Sequence, residues 1–329
     1  MARNLITDVA GVRVGHADND KLGSGATVVL FDQPAIAAVD VRGGGPGTRE
    51  SALLDPAMMV ERIDAVTLAG GSAFGLDAAS GTQAWLREHG RGFAVRTALV
   101  PIVPAAVVFD LLNGGDKNWG LYPPYREFGY AATAAAATDF TLGSAGAGLG
   151  ATIADLKGGL GSASAQTADG TTVGALAVVN AVGSAVIGGG PHFWAAPYER
   201  DKEFGGRGLP TSIPQSALAF RTKGQPGENT TLVVVATDGT LTKAQTRRLA
   251  MMAQDGMARA LRPIHTPLDG DLVFAAATGA RPLADPMIAL AELGSLAADV
   301  VARAIARGVY EARALAFPGA QPGWRDKFG

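Results

Sequence analysis

The sequence predicts a layered α/β fold in which sheets of buried strands are covered by helices. Short apolar runs rich in Val and Ile alternate with glycine clusters, a pattern typical of buried strands entered through tight turns. Ala-rich helical patterns lie between these runs, and small side chains let a helix pack close to a sheet. Hydrophobic residues fill 47% of the 329 positions, which is enough for a sizeable core.

The elements follow from these patterns in chain order. Strands are predicted at residues 25–31, 35–41, 65–69, 92–96, 175–182 and 231–237. A first helix is predicted over residues 72–89, with Gly90 as its stop. A second runs over residues 242–261 from a capping Thr242, and a third over 287–314 after Asp285-Pro286.

The composition excludes several classes of protein. The formal charge is −2, from 28 basic and 30 acidic residues without blocks of either sign, so no nucleic-acid partner is expected. The absence of Cys excludes disulfides, thiol catalysis and Cys-ligated metal sites. The four His residues form no metal-binding pair, and the glycine motifs lack nucleotide-binding spacing. We therefore expect neither a metal nor another cofactor.

Two segments bear on membranes and targeting. The first ten residues contain no continuous apolar core before Asp8, which argues against a secretory signal and for a cytoplasmic protein. Residues 173–190 are uncharged and of membrane length, but they contain five glycines and a Val-rich run typical of a strand. No membrane association is expected.

The sharpest local feature is the junction between a loop and a buried strand. Residues 202–228 are rich in Gly and Pro, and Asn229-Thr230 follows directly. A Thr230 hydroxyl that attacks the Asn229 carbonyl would form an ester, and hydrolysis would free Thr230 with its α-amine beside its hydroxyl. That amine, with a reference pKa near 8, suits a general base. The alternative is a turn before an ordinary β-branched strand start.

Two carboxylates accompany this junction in the sequence. Asp269 and Asp271 flank Gly270 just before another apolar run, and strand geometry from Asp269 onward would point both to one side. Such a pair could orient an ammonium group or hold a hydroxyl. The alternatives are a solvated Asp-Gly turn or a Ca²⁺ site.

Seven motifs then appear in an order that resembles the DmpA / β-aminopeptidase family of self-processing peptidases, family S58. They are GVRVGH ending at His16, AVDVRGGG ending at Gly45, LAGGSAFGLD ending at Asp77, GAGLGAT ending at Thr152, LKGGLGS ending at Ser162, VVNAVG ending at Gly183 and NTT ending at Thr231. Within that family the Thr junction and the Asp-Gly-Asp segment are most similar to the nylon-6-oligomer hydrolases.

The resemblance implies a four-layer αββα sandwich of the N-terminal-nucleophile type. It implies a precursor cut between Asn229 and Thr230 into a large fragment, residues 1–229, and a small one, residues 230–329. Thr230 would be the nucleophile, Asp269 and Asp271 would position its amine and hydroxyl, and Asn180 would donate to the oxyanion.

The resemblance also implies a catalytic Lys and a Tyr at the site. Lys157 in the LKGG motif is assigned the Lys role, with a surface lysine after a loop as the alternative. The family Tyr falls at Phe109, so Tyr122 or Tyr130 would have to supply a hydroxyl.

The predicted function is hydrolysis of linear amides in ω-amino-acid oligomers such as nylon-6 oligomers, through an acyl-Thr230 intermediate. An aminopeptidase for β- or D-amino-acid peptides is the first alternative, and an acyltransferase similar to ornithine acetyltransferases is a more distant one. The resemblance further implies a tetramer of processed chains.

Overall fold

The strands of the computed structural model, which describes residues 2–223 and 228–329, form one large mixed sheet and a separate hairpin. The large sheet runs in the order β3-β7-β4-β2-β11-β10-β9-β8, with β1 paired to β2, and β5 and β6 form the hairpin. The bounds are β1 Val12–Asn19, β2 Ser24–Val41, β3 Thr48–Arg49, β4 Arg62–Ala69, β5 Phe93–Val95, β6 Ala98–Val100, β7 Ala105–Val107, β8 Gly159–Gln166, β9 Thr172–Asn180, β10 Thr230–Gly239 and β11 Leu272–Arg281.

The long strand β2 divides the large sheet into two halves. Its first part pairs with β1 and β4, and its last part pairs with β11. The register with β4 shifts between Leu30 and Ala35. Side chains from both halves, including Val29, Leu68 and Val234, meet in one apolar cluster. The sheet is therefore folded into two facing layers.

Helices cover the outer face of each layer. They are α1 Ala78–Glu88, α2 Tyr125–Ala134, α3 Lys243–Ala260, α4 Pro286–Glu311 and the short α5 Trp324–Phe328. Residues of α1 and α2 pack on β2 and β4, while α3 and α4 pack on β8 to β11. The four-layer αββα order implied by the resemblance is confirmed.

Strand β10 shows why the middle of a central strand is apolar at every position. Leu232 and Val234 face the cluster between the two sheet layers, whereas Val233 and Val235 face the helices α3 and α4. Successive side chains of a strand point to opposite faces, so a strand in an inner layer buries both. The continuous apolar run that predicted this strand follows from its place in the fold.

Several sequence predictions of elements need correction. Residues 25–31 and 35–41 belong to one strand, β2, rather than two. Residues 92–96 were predicted as a buried strand, but β5 is exposed and pairs only with β6 in the described chain. The first predicted helix begins as a 3-10 turn at Ser72–Asp77 and becomes α-helical at Ala78. The patterns did not indicate β8 or α2.

The helices α3 and α4 begin at side-chain caps. The Thr242 hydroxyl accepts a hydrogen bond from the backbone N–H of Gln245, and the Asp285 carboxylate accepts from Met287 and Ile288. These oxygens satisfy N–H groups that the first turn of a helix leaves without partners. The predicted starts of both helices are confirmed.

The uncharged segment 173–190 supplies most of strand β9. Among the described residues, no helix is long and apolar enough to cross a membrane.

Helix α4 lies so close to β8 that Gly161 has no room for a side chain. A Cβ there would be 1.9 Å from the Ala304 carbonyl oxygen and 2.3 Å from the Gly308 nitrogen. We predict that Gly161→Ala lowers the free energy of unfolding by about 1–3 kcal/mol or more, because both clashing atoms are backbone. Thermal unfolding checks this. Gly45→Ala is the control, since its Cβ would be 3.8 Å from the nearest non-neighbouring atom, and an equal loss in both variants would contradict the packing argument.

Candidate active site

The end of strand β9 and the beginnings of strands β10 and β11 lie side by side in the sheet. Strand β10 begins at Thr230, which pairs with Asn180 at the end of the antiparallel strand β9. The parallel partner β11 begins just after Asp271, and Asn229 forms a bridge with Asp269. The register of β9, β10 and β11 therefore gathers the sequence-predicted Asn229, Thr230, Asp269, Asp271 and Asn180.

The Thr230 hydroxyl lies against the peptide bond that precedes it. Its Oγ1 donates to the Asn229 carbonyl oxygen at 2.5 Å. The same oxygen accepts the backbone N–H of Gly270 at 2.9 Å. A backbone N–H aimed at a carbonyl oxygen can stabilise negative charge that develops there during attack. The chain is uncut in this structure, and both residues are buried.

Position 270 needs a glycine because the backbone passes close to the Thr230 hydroxyl. A Cβ at this position would lie 2.5 Å from Thr230 Oγ1 and 2.8 Å from the Gly45 carbonyl oxygen. The sequence predicts Gly270 only as the middle of a turn, and does not predict that its N–H points at the Asn229 carbonyl oxygen. The signal was its place between two acidic residues.

Asp269 and Asp271 are fully buried, so the alternative of a solvated turn is wrong. Asp271 accepts the Thr231 N–H at 2.7 Å and the His265 N–H at 2.9 Å. Asp269 accepts from the Val182 N–H, and from both the N–H and the hydroxyl of Thr266. Burial, together with the nearby charge of Asp271, raises the pKa of Asp269. The two carboxylates fix the loops on either side of the junction.

The Asn180 side chain is turned so that its amide nitrogen faces the junction. Its Nδ2 donates to the carbonyl oxygens of Glu228 and Phe109, at 3.0 and 3.1 Å. Its Oδ1 accepts from the Thr152 N–H at 3.0 Å and from Lys223 Nζ at 2.9 Å. In the uncut chain the nitrogen thus contacts the carbonyl one residue before the Asn229 carbonyl.

Lys157 is buried rather than on the surface, so the alternative of a surface lysine is wrong. Its Nζ donates to the carbonyl oxygens of Gly148, Ala151 and Gly158, and burial lowers its pKa to about 7. These contacts hold the turn that leads to Thr152. The structure shows no hydrogen bond from Lys157 to Thr230, and its catalytic role stays a prediction.

The two candidate tyrosines have their contacts elsewhere. Tyr130 lies on α2 and donates to Glu88 of α1 at 2.6 Å. Tyr122 is 80% exposed. Phe109, in contrast, lies at the site, where its carbonyl accepts from Asn180 and the residue lines a cavity. The structure brings neither tyrosine hydroxyl to Thr230 in the uncut chain.

A cavity of about 280 Å³ opens beside the junction. Its wall combines apolar and charged side chains, and part of it comes from the segment after α4. The residues are Phe109, Asp110, Leu112, Asn113, Gly114, Gly150, Thr152, Lys223, Glu228, Pro318, Gly319, Ala320 and Gln321. Burial raises the pKa of Asp110, whose carboxylate accepts from Ser24 and Gly71. The cavity is large enough for a small aliphatic amide.

Sequence reasoning missed Lys223 and Glu228 in this wall. Both lie in the segment assigned as a loop from its Gly and Pro content, where no periodicity distinguishes one charged residue from another. Nearness to Asn229-Thr230 was the one available signal. Within the described ranges, no three His, Asp or Glu side chains are grouped so that they could hold a metal ion.

Comparison with known proteins places this chain in a family. The model of peptidase family S58 matches residues 4–321. An uncharacterized aminopeptidase of Mycobacterium tuberculosis is 47% identical over 99% of this chain and 98% of its own length. The 6-aminohexanoate-oligomer endohydrolase of Kocuria sp. is 30% identical over 82% of this chain and 74% of its own.

Solved structures share the fold. The β-aminopeptidase of Burkholderia sp. superposes with a TM-score of 0.70 at 23% identity, over 98% of this chain and 90% of that one. An L-aminopeptidase D-Ala-esterase/amidase of Ochrobactrum anthropi, described as a variant of the Ntn hydrolase fold, gives 0.71 at 22% identity, over 97% and 90%. The family match over almost the whole sequence shows that the chain belongs to peptidase family S58.

Proposed function

We propose that the protein is a self-processing threonine amidohydrolase that cuts its own chain between Asn229 and Thr230. One observation carries the proposal: the Asn229 carbonyl oxygen accepts hydrogen bonds from both the Thr230 hydroxyl and the Gly270 N–H. The nucleophile and an oxyanion donor thus converge on one peptide bond, as acyl transfer requires. The match to a peptidase family supports hydrolysis of peptides or other amides as the activity of this protein.

The proposed cleavage balances with water as the only co-reactant. Thr230 Oγ1 attacks the Asn229 carbonyl carbon, and the negative charge on the oxygen is stabilised by the Gly270 N–H. The carbon–nitrogen bond breaks as the nitrogen gains the proton that the hydroxyl loses. Water then hydrolyses the ester, which leaves a carboxylate on Asn229 and a free amine on Thr230.

The freed amine then serves as the general base for amide substrates. Its reference pKa of about 8 lets it accept the hydroxyl proton near neutral pH. Asp271 is placed to hold this end of β10, because it already bonds the N–H of Thr231. The Asn180 Nδ2 becomes available to a substrate oxyanion once the Glu228 carbonyl moves away from it.

For the substrate, we propose a linear amide whose acyl part carries an amino group on an aliphatic chain. Nylon-6 oligomers are such amides, and the matching endohydrolase of Kocuria sp. is named for them. Peptides of β- or D-amino acids are the second candidate. It is supported by two carboxylates in the cavity wall, Asp110 and Glu228, which could receive an ammonium group, and by the aminopeptidase name of the 47% identical relative.

The nucleophile is tested by two isosteric substitutions at neighbouring positions. We predict that Thr230→Val leaves the chain uncut and without amidase activity, because the attacking oxygen is gone. Thr231→Val is the control, since its buried hydroxyl has no partner within the described residues. Gel electrophoresis and intact mass read the outcome. A Thr230→Val chain broken after Asn229 would show that another group cuts it.

The Asp269–Asp271 pair is tested by titration in the uncut Thr230→Val background. The charge of Asp271 raises the pKa of Asp269, so adding Asp271→Asn is predicted to lower the Asp269 pKa. Carboxyl ¹³C NMR follows the Asp269 signal as the pH falls, and the midpoint should move to lower pH. An unchanged or higher midpoint would mean that the two groups do not interact in this way.

The substrate proposal is tested by side-by-side kinetics. We predict measurable kcat/KM on 6-aminohexanoate oligomers or on β-alanyl and D-alanyl amides, and much lower values on the same amides with an acetylated amine. An N-acetyl group removes the charge that a cavity carboxylate would bind. Equal rates on free and acetylated substrates would contradict recognition of the amine.

A further inference from the structure

Lys223 lies at the site, where it contacts Thr152 and Asn180. Its Nζ donates to the Thr152 carbonyl oxygen at 2.8 Å and to Asn180 Oδ1 at 2.9 Å. It also lies 3.2 Å from the Thr152 hydroxyl and 3.4 Å from the Asn180 carbonyl oxygen. Its own N–H donates to the Val182 carbonyl at 2.8 Å. Lys223 is thus held beside Asn180 by its backbone N–H at one end and by its ammonium group at the other.

These contacts decide which way the Asn180 amide faces. An amide oxygen accepts hydrogen bonds and an amide nitrogen donates them, so a side chain between two donors turns its oxygen toward them. Lys223 Nζ and the Thr152 N–H are those two donors. With Oδ1 held on that side, Nδ2 must point the other way, where the carbonyls of Glu228 and Phe109 lie.

None of these contacts crosses the proposed cut. Lys223, Thr152, Asn180 and Val182 all lie before residue 229, so no bond among them crosses the cut. By contrast, Nδ2 contacts Glu228, which is one residue from the new carboxyl terminus. After processing, Lys223 can therefore keep holding the amide oxygen while the nitrogen exchanges its partner for a substrate.

The lysines that are buried in the described part of the chain, Lys157 and Lys243, donate to backbone carbonyls. Lys243 donates to the backbone carbonyls of Leu53, Met58 and Val60, which fastens the start of α3 to a loop. Lys223 instead has a side-chain amide among its acceptors, and that amide faces the junction. A cation bonded to an amide oxygen also polarises the amide and strengthens its N–H donors.

We propose that Lys223 is a positioning residue that, in its protonated form, holds Asn180 so that Nδ2 serves the oxyanion in amide hydrolysis. The inference rests on the proposed function, because it assigns a group to the same site. It also places a positive charge beside the cavity where a negative charge develops on the substrate carbonyl.

The charged groups around Lys223 indicate how this role responds to pH. Burial lowers its pKa to about 7, while the negative charges of Glu228, Asp269 and Asp110 oppose that fall. Lys157 is a further positive group close enough to interact with it. The protonated form of Lys223 donates to Asn180, while the freed Thr230 amine must be deprotonated to act as the base. The profile of kcat against pH should therefore pass through a maximum, and Lys223 sets the decline on its alkaline side.

The absence of Cys from the chain allows a direct chemical test. In Lys223→Cys the single thiol lines the cavity and can be alkylated in two ways. Treatment with 2-bromoethylamine produces a side chain that is nearly isosteric with lysine and carries an ammonium group. Treatment with iodoacetamide produces a neutral side chain of similar length. The two products differ in charge at one position of one folded protein.

We expect Lys223→Cys to lower kcat for amide hydrolysis about tenfold to a hundredfold, since a misplaced donor can cost about a hundredfold. Aminoethylation should restore most of the rate, and the decline of kcat above neutral pH should return with it. Carbamidomethylation should restore neither. Lys243→Met is the control, with a lower melting temperature and an unchanged pH profile of kcat.

The outcomes separate this inference from the function on which it rests. Wild-type protein that stays uncut and hydrolyses no amide would refute the proposed function. Wild-type protein that is cut and active, together with Lys223→Cys of equal kcat, would refute the role of Lys223 alone. Equal rescue by the charged and the neutral adduct would also refute it, because it would show that only bulk is required.

Discussion

The hydrogen bond from the Gly270 N–H to the Asn229 carbonyl oxygen is the interaction on which the site depends. It belongs to the bridge between Asn229 and Asp269, which keeps the register of β10 with β11 three residues before their first pair, Leu232 and Leu272. Strand register thereby fixes the carbonyl, and the covalent chain places the Thr230 hydroxyl beside it. A shift of one residue in this register would turn every side chain of β10 to the opposite face and remove both partners.

The same register places a buried apolar strand directly after the polar groups of the site. The centre of β10 is apolar on both faces and packs in the middle of the fold, which leaves little freedom for its first residue. At its beginning, the Thr231 N–H donates to Asp271, and Asp269 accepts the N–H of Val182 just after β9. The Asn229 side chain and the Thr231 hydroxyl have no hydrogen-bond partner among the described residues. Buried carboxylates are costly unless they accept hydrogen bonds, and Asp269 and Asp271 each accept several. The polar site therefore lies at the ends of these strands and is shielded from water.

The fold could be predicted from the sequence wherever a strand or helix carries its own pattern. The Val-rich strands and the capped helices α3 and α4 were found because their periodicity is local. Strand β8 was missed because its small residues reflect the closeness of α4 rather than a strand preference. Helix α2 was missed for a similar reason, since Gly129 interrupts its pattern and lies against Ala78 of α1. The small residues of β8 and α2 are explained by contacts with residues that are distant in the sequence.

The residues of the site likewise fall into those that the sequence predicts and those that it does not. Thr230, Asn229 and the two aspartates were predicted from local chemistry and from the resemblance to a family, and the structure gathers them. Lys223 and the Gly270 N–H were not, because a backbone group and a loop lysine acquire a role only when the chain brings them to Asn180 and Asn229. The glycine-rich composition that first suggested turns thus also reflects close approaches of backbone at the site and between the layers.

We propose that the contacts of Asn229 prepare the Asn229–Thr230 peptide bond for attack by the Thr230 hydroxyl. Intact mass of the wild-type protein, purified under native conditions and then denatured, tests it most directly. The account predicts two polypeptides, of 229 residues or slightly fewer and of 100 residues, with the second beginning at Thr230. A single chain, or a cut at any other bond, would contradict it.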